Sequence, residues 1–453
     1  MFPLPYILTL EEAVLSPDLL PPLCVDSMKM SRGKLPLSVM AVVISAVALA
    51  GVIFTEDLRA LTGTFIFKLI ACSRKDAVTN SSKVSSEEKE KASNEDDIVD
   101  EDKISFNPNE CSVMNGKWVF NSSKKPPYTD QTCPYVDRQV ACMRNGRPDM
   151  DYLYWEWQLD DCNLPRFDAA DVLEKLRGKR LMFVGDSLQR GQWESFVCLV
   201  ESHIPEGQKS MNRSRKLSIF RAEEYNATIE FYWAPFLVES NSDAHIIIDT
   251  SKRILHVDSV SKHAQHWIGA DILIFNTYVW WMSGHRIKSV WGSFANGDEG
   301  FEELDAVVAY RIGLKTWANW IDSNVNPNMT RVFFITMSPA HIRSSDWNHK
   351  KGIKCYNETR PVMKRGYWGS GSDKGMMNVV ASVVGRMKVP VTIVNITQLS
   401  EYRIDGHASV YTESQGQKLT NKQKARPRLY ADCIHWCLPG VPDTWNQLLY
   451  AYL

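Results

Sequence analysis

The run Arg180-Leu181-Met182-Phe183-Val184-Gly185-Asp186-Ser187-Leu188-Gln189-Arg190 passes from apolar to turn to helix within eleven residues. Leu181 to Val184 is the short apolar run a buried parallel strand needs. Gly185 breaks it and Asp186-Ser187 turns it. Leu188 to His203 then reads as a helix anchored by Leu188, Trp193, Phe196 and Leu199. A serine at such a junction holds its hydroxyl at a helix N-terminus, where free N–H groups and the dipole favour a developing anion. The blander reading is a capped helix, with Ser187 or Asp186 as N-cap.

Asp432-Cys433-Ile434-His435, near the other end, favours the chemical reading. A serine hydroxyl is a weak nucleophile until a base takes its proton, and the base needs a partner to fix its tautomer. Three residues apart, Asp432 and His435 are expected to share one face of a single turn. Cys433 and Cys437 flank the histidine, and disulfides there would hold the loop still. Taken separately, the pair is only a capped loop and a surface histidine.

Between these ends the pattern alternates. A helix over Ala169–Leu176 precedes the first strand. Further strands are expected at Ile229–Trp233, Ile272–Asn276, Val332–Met337 and Val391–Asn395, with helices at Ala306–Ile321 and Met376–Met387. Alternation of this kind predicts an α/β fold, a doubly wound parallel sheet with helices on both faces. Sites in such sheets lie at the carboxyl ends of strands, where both Ser187 and Asn276 fall.

The N-terminal part is different in kind. Residues 1–34 read as a cytosolic tail. Residues 35–55 carry no charge over 21 positions, enough to span a membrane at about 1.5 Å per residue. Lys29, Arg32 and Lys34 precede the run and Glu56 and Asp57 follow it, which orients the remainder to the lumen as a type II signal anchor. A cleaved signal peptide is the competing reading. Residues 56–105 form a membrane-proximal segment and an acidic stem expected to be disordered. Glu87 to Lys103 holds nine acidic and three basic residues, a net −6 in a chain of −1, so the rest stands near +5. That balance suits an acidic polysaccharide but is also what a solvated surface gives. It argues against a nucleic-acid partner. No dinucleotide or phosphate-loop motif implies a nucleotide cofactor.

Eight cysteines follow the stem: Cys111, Cys133, Cys142, Cys162, Cys198, Cys355, Cys433 and Cys437. Their even number beyond an apolar span predicts four disulfides in an oxidising lumen, with roughly a hundred pairings open. Matched Cys-x-x-Cys pairs for zinc are missing, so no metal is expected. Asn-x-Ser/Thr triplets at Asn80, Asn121, Asn212, Asn226, Asn328, Asn357 and Asn395 agree with a secretory route. Residues 106–166 are rich in cysteine and aromatics and read as a small subdomain stapled to a catalytic domain over 167–453.

The order Ser…Asp-x-x-His, with Gly-Asp-Ser in place of Gly-x-Ser-x-Gly, resembles the SGNH/GDSL hydrolases. More closely, residues from about Cys111 to Leu453 resemble the plant trichome-birefringence-like polysaccharide O-acetyltransferases. The likeness rests on Asn145-Gly146-Arg147-Pro148-Asp149, Cys162-Asn163-Leu164-Pro165-Arg166-Phe167, the Gly185–Arg190 motif and Asp432 to Gly440. Phe275-Asn276-Thr277-Tyr278-Val279-Trp280-Trp281 resembles the eskimo-type xylan acetyltransferases in particular.

The resemblance implies an SGNH-like body with an N-terminal subdomain, in the Golgi membrane beside other polysaccharide-synthesis proteins. It implies Ser187, His435 and Asp432 as triad and an acetyl-serine passed to 2-O or 3-O hydroxyls of xylan or a related hemicellulose. Asn276 would fill the asparagine role of an oxyanion site beside the Ser187 N–H, with Gly185, Asp186, Gln189 and Arg190 supporting. No tightly bound cofactor is implied, only an acetyl donor such as an acetyl-CoA-derived compound. Fifteen tryptophans make sugar stacking plausible on composition, with Trp436 the first candidate, then Trp281 and Arg343, and His341 beside it. A secreted acetyl-esterase and a non-catalytic polysaccharide-binding protein are the competing readings.

Overall fold

The computed structural model describes residues 103–453 apart from 245, 248, 283, 291–299 and 415. The expected tail, membrane span, most of the stem and Asn80 lie outside these residues. Lys103 to Ser105, read above as the end of the stem, belong to the folded body instead. Ile104 and Ser105 pair in parallel with Cys162 and Asn163, and Asn163 Nδ2 donates to the Lys103 carbonyl.

Two strands, β1 (Gly116–Phe120) and β2 (Trp155–Leu159), pair antiparallel. Trp155-Glu156-Trp157-Gln158-Leu159 alternates with period two, and its buried face packs, with Trp118, onto another part of the chain. Trp118 meets Trp157 edge-on and donates its Nε1–H to the Leu399 carbonyl, while Trp157 stacks on Tyr402.

The catalytic body then runs in order through α1 (Ala169–Lys175), β3 (Arg180–Gly185), α2 (Ser187–Val200), β4 (Lys209–Arg213), β5 (Leu217–Ala222) and β6 (Ala227–Trp233). It continues with α3 (Ser261–Trp267), β7 (Ile272–Phe275), α4 (Ala306–Asn324), β8 (Arg331–Ile335), α5 (Lys374–Val384) and β9 (Val391–Val394). Last come β10 (His407–Ser409), β11 (Asp432–Trp436) and α6 (Val441–Tyr452). The main sheet has the order β9-β8-β7-β3-β6-β5-β4. Its five strands from β9 to β6 are parallel, at the positions expected. The sheet is mixed rather than wholly parallel, because β4 and β5 add an antiparallel hairpin beyond β6.

Strand alternation sends successive side chains to opposite faces. Phe183 and Phe231, paired across β3 and β6, meet Phe196 and Trp193 of α2. Phe275 and Phe334, paired across β7 and β8, meet Trp317 of α4 from the other face. Both faces are thus covered by helices and the core is continuous through the sheet. From β3 the chain first builds outward to β6 and then returns to β7 on the other flank. The carboxyl end of β3 is therefore a point where strand order reverses, the crevice such sheets use for ligands. Ser187 stands there.

Candidate active site

Asp186, and not Ser187, caps α2. Its Oδ1 accepts from the Leu188 N–H at 2.8 Å. The Ser187 hydroxyl is left to donate to His435 Nε2 at 2.7 Å, and His435 Nδ1–H donates to Asp432 Oδ2 at 2.7 Å. The hydrogen-bond chain from hydroxyl through imidazole to carboxylate is complete across 248 residues of sequence. His435 and Asp432 side chains keep 17% and 16% of their surface open, so a substrate can reach them.

The local fold behind Asp432-x-x-His435 differs from the expected single turn. Both residues lie on β11, which pairs antiparallel with β10 and shifts register between His407 and Ser409. Asp432 Oδ1 accepts from the Ile434 and His435 N–H groups at 3.1 and 3.0 Å, folding the strand over its own carboxylate. That local grip brings two residues three apart within reach despite strand geometry.

Disulfides fasten β11 at both sides of His435. Cys355–Cys433 holds one flank and Cys142–Cys437 the other. Cys133–Cys198 ties the N-terminal segment to α2, and Cys111–Cys162 closes that segment on itself. All eight expected cysteines are paired. Buried Arg147 spans between these parts, donating to the His407 and Asp405 carbonyls, Cys437 Sγ and Asp149, with its guanidinium over Tyr152. The Asn145–Asp149 motif is a clamp on the strand pair that carries the imidazole.

Gly185 has a steric reason. A Cβ there would lie 2.5 Å from the Asn276 carbonyl oxygen and 2.8 Å from Gln189 Cβ. Gly185→Ala is expected to cost about 1–3 kcal/mol of stability, as overpacking does. It should also lower turnover more than a remote variant of equal stability; a purely proportional loss in thermal melts and rate assays would refute that. Gln189 is buried and donates to the Ile274 carbonyl, fixing α2 to β7.

Electrostatics follow from these contacts. Burial works to raise the Asp432 carboxyl, but the His435 imidazole and the backbone donors outweigh it and hold it well below the carboxylate range. Burial works against charge on His435, and Asp432 overrides it, leaving that imidazole above its ordinary value. Asp186 is pushed up to about 6 by burial, with its Oδ2 unpartnered among the described residues. A base must be neutral to accept the Ser187 proton. The acidic limb of kcat/KM for acyl transfer is therefore expected to rise with pH through a midpoint above about 6.5. A midpoint below that value would remove the Asp432–His435 coupling.

Several expected site residues lie elsewhere. Asn276 is 3% exposed, and both hydrogens of its amide go to the Ile335 and Thr336 carbonyls, tying β7 to β8. In this arrangement it has no donor left for an oxyanion. Trp436 is 2% exposed, stacked on His407 at 3.9 Å with its Nε1–H on Ser338, so it backs the strand instead of lining a groove. Trp281 is fully buried on Thr277 and Phe236. Buried His341 contacts His407 at 2.6 Å, and burial lowers His341 to about 4. Arg343 is exposed before the short helix Ser344–Trp347, and among the described residues no hydrogen bond links it to the triad. Asn212, Asn226, Asn328 and Asn357 are exposed, whereas Asn121 and Asn395 engage Glu156 and Thr336.

One residue at the site was missed. Gln139 Nε2 donates to Asp432 Oδ2 at 3.3 Å, and its Oε1 accepts from Arg190 Nη2 at 3.3 Å. It stands three residues before Cys142, whose partner Cys437 is two residues past His435. Only that pairing could have revealed it.

Residues 164–452 match the PC-Esterase family, described as a GDSL/SGNH-like acyl-esterase family found in Pmr5 and Cas1p, and residues 109–163 match the PMR5 N-terminal domain. The chain is 56% identical to a probable xylan O-acetyltransferase 8 of Oryza sativa subsp. japonica, over 94% of this chain and 99% of that one. It is 58% identical to the trichome birefringence-like 3 protein of Arabidopsis thaliana, over 93% and 97%. A rice xylan O-acetyltransferase 6 is 51% identical over 76% of this chain and 62% of its own. With an SGNH-type sheet, a serine at its switch point and an N-terminal segment stapled to it, this chain belongs to the GDSL/SGNH-like acyl-esterase family of Pmr5 and Cas1p.

Proposed function

We propose that this protein is a xylan O-acetyltransferase working by double displacement through an acetyl-serine. The observation that carries the reading is the unbroken hydrogen-bond chain Ser187–His435–Asp432 at the carboxyl edge of β3. Ser187 Oγ attacks the acetyl carbonyl of a donor as His435 Nε2 takes its proton. The Ser187 N–H at the start of α2 faces the developing oxyanion, with the helix dipole behind it. His435 then returns its proton to the leaving group. A 2-O or 3-O hydroxyl of a xylosyl residue, deprotonated by the same imidazole, attacks the acetyl-serine and regenerates the enzyme. Gln139, itself held by Arg190, donates to the Asp432 carboxylate, and Asp186 holds the turn.

The names of the rice relatives support xylan as acceptor, and the apolar run at 35–55, the four disulfides and the exposed Asn-x-Ser/Thr sites support a luminal domain on a Golgi signal anchor. Incubation of the purified protein with xylo-oligosaccharide and a small acetyl ester should give acetylated xylosyl residues, positioned by NMR. Release of acetate without acetylated sugar would mean a hydrolase, the reading favoured by a dyad whose side chains keep 17% and 16% of their surface open to water.

A further inference from the structure

Behind the catalytic strand, two buried histidines make three contacts that a neutral pair cannot all satisfy. His407 Nδ1 lies 3.1 Å from the His435 carbonyl oxygen, and His407 Nε2 lies 2.6 Å from His341 Nδ1. His341 Nε2 in turn lies 3.0 Å from the Glu401 carbonyl oxygen. Both outer partners are carbonyl oxygens, which only accept. Each needs an N–H, and the ring-to-ring contact needs one too, since two lone pairs at that distance repel. Two neutral imidazoles carry two N–H groups between them, and three contacts call for three.

Burial by itself lowers both imidazoles, and charge on His341 disfavours a second charge on His407. One proton between them is therefore the most the site can hold, and its surroundings suit that one. The Glu401 carboxylate, on the short helix Thr397–Glu401, stands 3.8 Å from His341 Nε2. Burial raises the Glu401 carboxyl, and the Ser372 hydroxyl, the Gly369 N–H and nearby Lys374 oppose that by favouring its charge. Asp346 favours charge on His341 and Asp432 favours it on His407, while the His435 imidazole works against it. Arg147 is spent on the His407 carbonyl. The Trp436 ring is stacked on His407 at 3.9 Å, and an indole face attracts a cation. A buried charge persists when it is paired and hydrogen-bonded, and this one is both.

We propose that His341 and His407 share one extra proton, with Glu401 as its counter-ion, and that this buried cation positions the catalytic base. His407 holds the His435 carbonyl, while the His341 backbone N–H holds the Cys433 carbonyl at 3.0 Å. Two carbonyls of β11 are thereby gripped from behind, on either side of Ile434. Without the third proton, two tautomers preserve the ring-to-ring bond, and only one of them keeps the grip on His435. The inference rests on His435 as the base and not on which hydroxyl accepts the acetyl group.

Nitrogen-15 NMR of the histidine-labelled full-length protein at neutral pH counts the protons directly. Signals missing from the His341→Gln and His407→Gln proteins assign the pair. Three protonated ring nitrogens of the four are expected, and two would overturn the proposal whatever the protein does with acetyl groups. Kinetics with a small acetyl ester give an independent reading that serves a transferase and a hydrolase alike. Because the proton is needed, kcat should fall as pH rises past the point where the pair releases it, with KM unchanged. Glu401→Gln removes the counter-ion and keeps its shape, so that fall should move about one pH unit or more towards acid. His407→Leu should lower kcat about tenfold or more. His407→Asn, whose amide can still donate to the His435 carbonyl, should recover most of that loss and show no alkaline fall. A pair with a merely structural role would lower the melting temperature in these variants without moving the pH profile. An unchanged profile in Glu401→Gln would therefore overturn the proposal, as would equal kcat in His407→Leu and His407→Asn.

Discussion

Ser187→Ala is expected to lower acetyl transfer by about 10⁴-fold or more, the scale on which a triad nucleophile counts. Its folding stability should change by no more than about 0.5 kcal/mol. The two halves of this expectation come from one piece of geometry. A serine opening a helix is ordinarily a cap, and losing a cap costs about 1 kcal/mol. Here the cap bond belongs to Asp186 Oδ1 on the Leu188 N–H, and the Ser187 hydroxyl bonds to His435. Removing it takes away a proton donor for the imidazole and nothing that α2 needs. Mass spectrometry after mixing with a reactive acetyl ester should find an acetyl adduct on Ser187 in the wild-type protein and none in the variant. Retained transfer in the variant would end the acyl-serine mechanism, and a large drop in melting temperature would return the residue to a structural role.

The parts of the fold that the sequence made legible are those whose signal is local. Leu181–Val184 and the runs at 229, 272, 332 and 391 are mainly apolar strands, interrupted only by Glu230 and Thr392, and each appears where its composition places it. The β4–β5 hairpin escaped because Lys209-Ser210-Met211-Asn212-Arg213 is a polar edge strand with little apolar alternation. Asp432–His435 was legible as a pair but not as a strand. Its pairing with His407–Ser409 is set by contacts far along the chain and by a carboxylate folded onto its own backbone.

Single residue types were the weakest guide to the site. A tryptophan or an amide carries the same letters in a core and in a groove. Trp436, Trp281 and Asn276 all spend their polar atoms inside the protein, on Ser338, Thr277 and two β8-end carbonyls respectively. Gln139 shows the converse: nothing around it in sequence marks it, yet it stands three residues from a disulfide to Cys437 and donates to the Asp432 carboxylate.

That disulfide is expected to carry the largest single share of stability among the four. Cys142–Cys437 closes a separation of 295 residues, against 51 for Cys111–Cys162. In the chain-entropy account the longer loop is worth roughly 6 kcal/mol and the shorter about 4. Either is a large part of the 5–15 kcal/mol that typically separates folded from unfolded protein. The difference between them should show more strongly in activity. Cys437 follows His435 by two residues, its sulfur takes a hydrogen bond from Arg147, and the far end of the bridge positions Gln139 at Asp432. Cys111–Cys162 fastens only the N-terminal segment to itself. Replacing both cysteines of a bridge by alanine avoids a lone thiol and makes the comparison clean. The Cys142→Ala, Cys437→Ala protein should melt lower than the Cys111→Ala, Cys162→Ala protein. At a temperature where both remain folded by circular dichroism, its kcat should be reduced by about tenfold or more, since small misplacements at a reacting centre cost that much. Equal kcat in the two variants would mean that Arg147 and the β10–β11 pairing hold the imidazole without the bridge.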